Sequence, residues 1–314
     1  MDGLIGNTPC VKLLYRYKNQ IDYIYLKLEY FNLTGSIKDR IALRIIQMAK
    51  KNQLLKDNMP IVEATSGNTG ISFAALGTYY HHPVIIFMPD WVSLERVQLM
   101  KLYGAKVHLI SKEEGGFQTC IHKAKEMAKK LNGFCPCQFE NKENIMAHYL
   151  TTGKEILQQV TEDIGGFVSG IGTGGTLMGV GRKLKEKNQN TKIIALEPKE
   201  APILSKGCSG EHLLEGIGDD FVPEIVNKEC IDQIILIDSH DALAMSQKLS
   251  QIGLGVGITS GANVLASILT NGEKKNVTVC PDDSKKYLST DLTIPFKTKL
   301  VDEIELLNFE IIGT

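Results

Sequence analysis

The sequence lacks the features that would send a chain to a membrane, to nucleic acid or to an oxidising compartment. No apolar run in its 314 residues approaches the roughly 20 that a membrane helix needs. Positive charge is not in excess: 35 Lys and Arg stand against 36 Asp and Glu, a net charge of −1. No basic surface for nucleic acid or an anionic membrane is therefore expected. The opening stretch Met1-Asp-Gly-Leu-Ile-Gly-Asn-Thr-Pro9 has no basic region and no long apolar core, so a cytoplasmic location is expected. The seven cysteines are odd in number and scattered. Cys135-Pro-Cys137 has one residue between its sulfurs and no second pair or histidine nearby to complete a zinc site. His81-His82 also lacks ligand spacing, so no metal is expected and the thiols are read as reduced. Internal repeats, low-complexity segments and Pro/Ser linkers are absent too.

What is present is an ordinary globular composition, 43% hydrophobic and 23% charged. The chain is longer than one small core serves, so two lobes are expected, 1–144 and 145–314, divided at the polar stretch 140–144. Apolar strand-like runs alternate with amphipathic segments, which predicts an α/β fold. Each lobe should be a mostly parallel twisted sheet flanked by helices, with the first strands free to pair with the other lobe. Strands are predicted at 22–30, 61–64, 83–88, 106–110, 135–140, 167–171, 192–196, 233–237 and 277–280. Helices are predicted from 41, and at 71–80, 93–102, 117–131, 149–160, 177–187, 240–251 and 261–269. Residues 291–314 are polar and weakly patterned and receive no assignment.

Three stretches carry chemistry. In Asn32-Leu-Thr-Gly-Ser-Ile-Lys-Asp-Arg40 a loop hands over to a helix, with Gly35 permitting the turn and Ser36 suited to cap. Lys38 then sits in the first turn, where the helix dipole favours a neutral amine, the form a Schiff-base lysine needs. Taken alone, it reads as an ordinary solvated surface lysine, and only the stretches downstream reverse that. Ser169-Gly-Ile-Gly-Thr-Gly-Gly-Thr176 joins a strand to a helix, and its glycines, threonines and N–H groups suit a phosphate. It also fits G-x-G-x-x-G from Gly170, with Glu197 at the end of the next strand, so a nicotinamide dehydrogenase is a rival. Thr65-Ser-Gly-Asn-Thr-Gly70, without a basic residue, suits a carboxylate. A lysine, a carboxylate cradle and a phosphate cradle together describe an amino acid joined to pyridoxal phosphate.

On these motifs the sequence resembles the cysteine synthase (O-acetylserine sulfhydrylase) and cystathionine β-synthase family, pyridoxal-phosphate enzymes of the tryptophan-synthase-like fold. The resemblance runs from Gly6-Asn-Thr-Pro9 to Tyr287-Leu-Ser-Thr290 and includes Glu215-Gly-Ile-Gly218 and Ser260-Gly-Ala262. It implies that Lys38 forms the internal aldimine and that Asn68 bonds the ring hydroxyl oxygen. Gly172, Thr173, Gly174, Gly175 and Thr176 would bind the phosphate. Thr65, Ser66, Thr69 and Gln138 would hold the substrate α-carboxylate. Ser260 would bond the pyridine nitrogen, with Thr259 beside it; a neutral hydroxyl there does not enforce a pyridinium. The implied reaction is loss of a β-substituent, giving an aminoacrylate, followed by addition, with Lys38 as general base. A homodimer and an amino-acid substrate are implied too.

The chain departs from the family at Thr34, where a glycine is common, and at Thr259-Ser-Gly261. The departure that bears on substrate is Gly216-Ile-Gly-Asp-Asp-Phe221, where cysteine synthases resemble Gly-Ile-Gly-Ala-Gly-Phe. A carboxylate near the β-carbon repels sulfide and acetate but can take a proton from water. Asp220 is expected in that role, with Asp219 solvated. The reaction expected is L-cysteine plus water to L-serine plus hydrogen sulfide. Cysteine synthesis from O-acetylserine, or thioether formation, is the alternative.

Overall fold

A computed structural model describes residues 1–313 and holds ten strands and eleven α-helices among them. The first half runs β1 (Cys10–Tyr17), β2 (Gln20–Leu28), α1 (Lys38–Lys51), β3 (Ile61–Ala64), α2 (Asn68–Tyr79), β4 (Val84–Pro89), α3 (Leu94–Leu102), β5 (Lys106–Ile110) and α4 (Gly116–Lys130). Next come α5 (Lys142–Leu150), α6 (Thr152–Gln159), β6 (Ile164–Gly170), α7 (Gly175–Lys187), β7 (Lys192–Pro198) and α8 (Ile203–Lys206). The chain ends β8 (Gln233–Ile237), α9 (Ser239–Gln251), α10 (Ile258–Leu269), β9 (Lys275–Cys280), α11 (Lys299–Asp302) and β10 (Ile304–Gly313). None of these helices is long and apolar enough to cross a membrane.

Two sheets result. The larger has the order β10-β1-β2-β9-β6-β7-β8 and the smaller β3-β4-β5. All pairings from β2 to β8 are parallel, as are both in the small sheet; β1 is antiparallel to β2 and to β10. Strands β3 and β4 are apolar almost throughout because helices cover both faces. On one side lies a core built on Ile45, Ile71, Phe73 and Met100, and on the other one built on Val62, Cys120 and Ala124. The large sheet is likewise covered twice, by α9 and α10 on one face and by α7 on the other.

The predicted strands and helices recur with ends moved by a few residues, and three differences have physical causes. Residues 304–313, left unassigned, form an edge strand on β1; its apolar alternation is interrupted by register shifts, so no clean period of two is visible. No strand forms at 135–140: after a single bridge from Ile61 to Phe134, Pro136 supplies no N–H and Cys137 takes φ +51. The helix predicted at 149–160 is two helices, α5 and α6, broken at Thr151, whose ψ of −77 bends the chain. The stretch proposed to divide the lobes runs into α5.

A parallel strand followed by a helix ends in a loop that gathers backbone N–H groups at the strand's carboxyl end, where open α/β sheets take ligands. The loops after β3, β6 and β9 converge on one cleft between the sheets, together with the start of α1.

Candidate active site

The first cradle follows β3. Thr65 Oγ1 accepts a hydrogen bond from Gly67 N–H at 2.9 Å, and α2 starts immediately with Asn68, so its first N–H groups have no helical partner. Thr69 Oγ1 donates to Gln138 Oε1 at 2.7 Å, while Gln138 Nε2 donates to Ala64 O at 2.9 Å. Thr65, Ser66, Thr69 and Gln138 therefore share one end of the cleft.

The second cradle follows β6. Gly174 takes φ +85, open to glycine at little cost, and a Cβ on Gly172 would sit 2.3 Å from Gly216 O. Asn144 Nδ2 donates to Thr173 Oγ1 and to Gln138 O, both at 2.9 Å, so one amide ties the two cradles together. Thr176 Oγ1 lies 3.3 Å from His148 Nε2. Burial, aided by Lys38 and Arg40, holds His148 well below the ordinary imidazole range, so it stays neutral. Gly172, Thr173, Gly174 and Thr176 line the cleft at the N-terminus of α7; Gly175 lies beneath, packed on Asn144. Neither Asn144 nor His148 was singled out from the sequence, since each acts on a loop distant in the chain.

Lys38 opens α1 and lines the same cleft as the second cradle. Its pKa is lowered by burial, against opposite pulls from Asp282 and Asp219. Desolvation is thus the first cause of the expected neutral amine. Ser36 Oγ accepts from Lys38 N–H at 3.3 Å, and the departure at Thr34 is put to use: its N–H and Oγ1 both donate to Asp39, each at 2.6 Å.

Beneath the first cradle runs a network that sequence reasoning missed. Asn68 Nδ2 donates to Asp282 Oδ2 at 2.7 Å, as does Tyr287 OH at 2.7 Å, and Arg96 pairs with Glu215 while lying 3.9 Å from Asp282. Arg96 is 1% exposed and packs so closely on Gly67 that a Cβ there would meet its Cδ at 2.2 Å. The first loop has no basic residue of its own, but the fold brings one from α3. Replacing Arg96 with methionine would leave Glu215 without its cation and take one of its cations from Asp282. A cost of about 3–5 kcal/mol is expected, read as a lower unfolding midpoint by calorimetry.

Ser260 is buried with its hydroxyl against the Cys280 thiol, whereas Thr259 lines the cleft and donates to Glu215 O at 3.0 Å. Glu197 does not reach a ligand. Its carboxylate is spent on α8, accepting from Leu204 N–H at 2.7 Å and from the Ser205 N–H and hydroxyl. That removes the acid on which the dinucleotide reading of the second loop depended.

The two acids of the 216–221 loop are placed opposite to expectation. Asp219 lines the cleft with Lys38; Asp220 is exposed and its Oδ1 accepts from Gln118 Nε2 at 3.2 Å. Phe221, packed on Phe139 at 5.0 Å and stacked on Phe117, anchors the loop, so the side chains before it alternate outward and inward. Burial and the neighbouring Asp220 raise Asp219 to about 7, with Lys38 opposing.

A primary amine whose pKa is lowered by burial, an N–H and threonine cradle at a helix start, a second hydroxyl cradle, and an amide at Asn68 with a further N–H to offer together fit pyridoxal phosphate. Asn68 Oδ1, buried at the cleft without a hydrogen-bond partner in the protein, fits the same group.

The comparisons agree. The family described as pyridoxal-phosphate dependent enzyme matches residues 1–281. A cysteine synthase of Staphylococcus aureus is 42% identical over 295 residues, covering 92% of this chain and 95% of that one. The crystal structure of a hydrogen sulfide-producing enzyme from Fusobacterium nucleatum is similar at a TM-score of 0.95 and 45% identity, covering 99% of this chain and 98% of that one. An aspartate-to-asparagine mutant of that enzyme, complexed with an α-aminoacrylate intermediate, is similar at a TM-score of 0.96 and 45% identity, with 98% and 97% covered.

Proposed function

This chain belongs to the pyridoxal-phosphate-dependent enzyme family and acts in sulfur amino-acid β-replacement or β-elimination, and from that premise we propose that it converts L-cysteine and water to L-serine and hydrogen sulfide. The observation that carries the proposal is Asp219, a carboxyl with a pKa of about 7 lining the cleft that Lys38 also lines. When bound, the cofactor supplies an electron sink for the α-carbon, which allows the α-proton and the β-substituent to leave. Lys38 takes the α-proton as general base. Thr65, Ser66, Thr69 and Gln138 bind the α-carboxylate, with Asn68 on the ring oxygen and the 172–176 loop on the phosphate. Sulfur departs as hydrosulfide, Asp219 takes a proton from the water that adds to the β-carbon, Lys38 returns its proton to the α-carbon, and the proton held by Asp219 completes hydrogen sulfide. A carboxyl poised near neutrality serves both directions. An acidic pair at this end of the cleft also disfavours sulfide as the incoming anion and acetate as the leaving one, which sets the reading apart from O-acetylserine sulfhydrylation.

Incubating the holoenzyme with L-cysteine alone tests this: serine and hydrogen sulfide should appear in equal amounts. Fast cysteine formation from O-acetylserine and sulfide, with no serine from cysteine, would sink it. Asp220→Ala gives a separate expectation. With its charge gone, one cause of the raised Asp219 pKa is lost, so the acidic limb of the pH–rate profile should shift to lower pH. The rate above pH 8 should stay within about threefold of wild type. Loss of serine formation in this variant would return the role to Asp220.

A further inference from the structure

Cys135-Pro-Cys137 has no part in the chemistry above, yet its geometry is unusual for free thiols. Along a regular strand, side chains two residues apart stand about 6.6 Å from each other. Here the left-handed turn at Cys137 (φ +51) folds the pair together, and the two Sγ atoms lie 3.2 Å apart in an S–H···S hydrogen bond. The turn is held on both sides: Pro136 O accepts from Asn141 Nδ2 at 2.9 Å, and Cys137 O accepts from Glu140 N–H at 2.9 Å and Asn141 N–H at 3.0 Å. Both cysteines are half-buried and reachable from solvent, whereas Cys10, Cys120 and Cys280 are buried.

The surroundings separate the two sulfurs. Pairing with the Cys135 sulfur lowers Cys137, and Lys125 adds to this against burial and Glu140. Cys135 is pushed up by the same bond, by burial and by Glu63. The two thiols are thus shifted in opposite directions, Cys137 toward the thiolate and Cys135 away from it, which assigns Cys137 as the nucleophile and Cys135 as the resolving thiol.

We propose that Cys135 and Cys137 form a redox-active dithiol that reduces low-molecular-weight disulfides. The Cys137 thiolate attacks one sulfur of the disulfide, forming a mixed disulfide and expelling the first thiolate. Cys135 then attacks Cys137 Sγ, its proton passing to the second departing sulfur. The protein dithiol is oxidised to one disulfide, and the small disulfide is reduced to two thiols. The sulfurs need approach by only about 1 Å to reach bonding distance.

The test treats the holoenzyme with oxidised glutathione near neutral pH, quenches with iodoacetamide and maps the peptides by mass spectrometry. The peptide carrying both cysteines should resist alkylation, be two hydrogens lighter and release two glutathione thiols per chain. This should occur about tenfold faster than modification of exposed Cys208 and Cys230, and dithiothreitol should reverse it. Cys135→Ser should stop at a glutathione adduct on Cys137. Adducts on Cys208 and Cys230 alone in the wild type, or no Cys137 adduct in Cys135→Ser, would overturn the proposal.

Discussion

Lys38→Ala is expected to lower serine and hydrogen sulfide formation from L-cysteine by about 10,000-fold, the upper range of what a positioned base contributes. The loss has two parts. The alanine cannot join the cofactor aldehyde, and no other amine among the cleft-lining residues can take the α-proton. Burial lowers the Lys38 pKa, whereas a free amine added to the solution has no such environment and would be a poor substitute. Two measurements check this besides turnover. Borohydride reduction should label position 38 in wild type and nothing there in the variant, and α-proton exchange in deuterated water should vanish. Circular dichroism should be unchanged, because α1 keeps its buried face of Ile41, Ile45 and Ile46. A variant within tenfold of wild type would remove Lys38 from the mechanism.

Asp219→Asn is expected to lower serine formation by about 100- to 1,000-fold while leaving α-proton exchange in place. Asparagine keeps the shape but cannot accept a proton from water. The pH dependence gives the sharper test. The Asp219 pKa is raised, so the carboxyl is protonated and idle below about 7 and ionised above it. The wild-type rate should therefore rise from pH 5 to pH 8 with a midpoint near 7, and Asp219→Asn should lose that limb. If the limb persists in the variant, it belongs to another group, and Asp219 is only a neighbour.

The parts of the site legible in the sequence are those encoded within a few residues. A loop that gathers donors at a helix start needs small residues and hydroxyls in a row, and both cradles and the lysine turn carry that signature locally. The parallel strands were legible for the same reason: a strand covered on both faces has to be apolar throughout. Less legible was anything whose meaning depends on a distant partner. Strand β10 looks irregular until β1 is beside it, and Glu197 looks like a ligand until α8 folds over it. Arg96 reads as part of a helix start, but in the fold it supplies the buried cation under a loop thirty residues earlier in the chain.

By itself, then, the sequence determined the α/β architecture through its patterning and the cofactor class through the family its motifs resemble, and the lysine turn and two donor-rich loops proposed for the site were legible because each is a short-range backbone pattern. Tertiary structure alone decided which of two adjacent aspartates enters the cleft, through the aromatic anchor at Phe221, and it set the pKa of that aspartate through burial. It also brought two sulfurs within 3.2 Å where strand spacing would have kept them apart. Orientation and desolvation arise from packing between segments far apart in the chain, and no local run of residues records them.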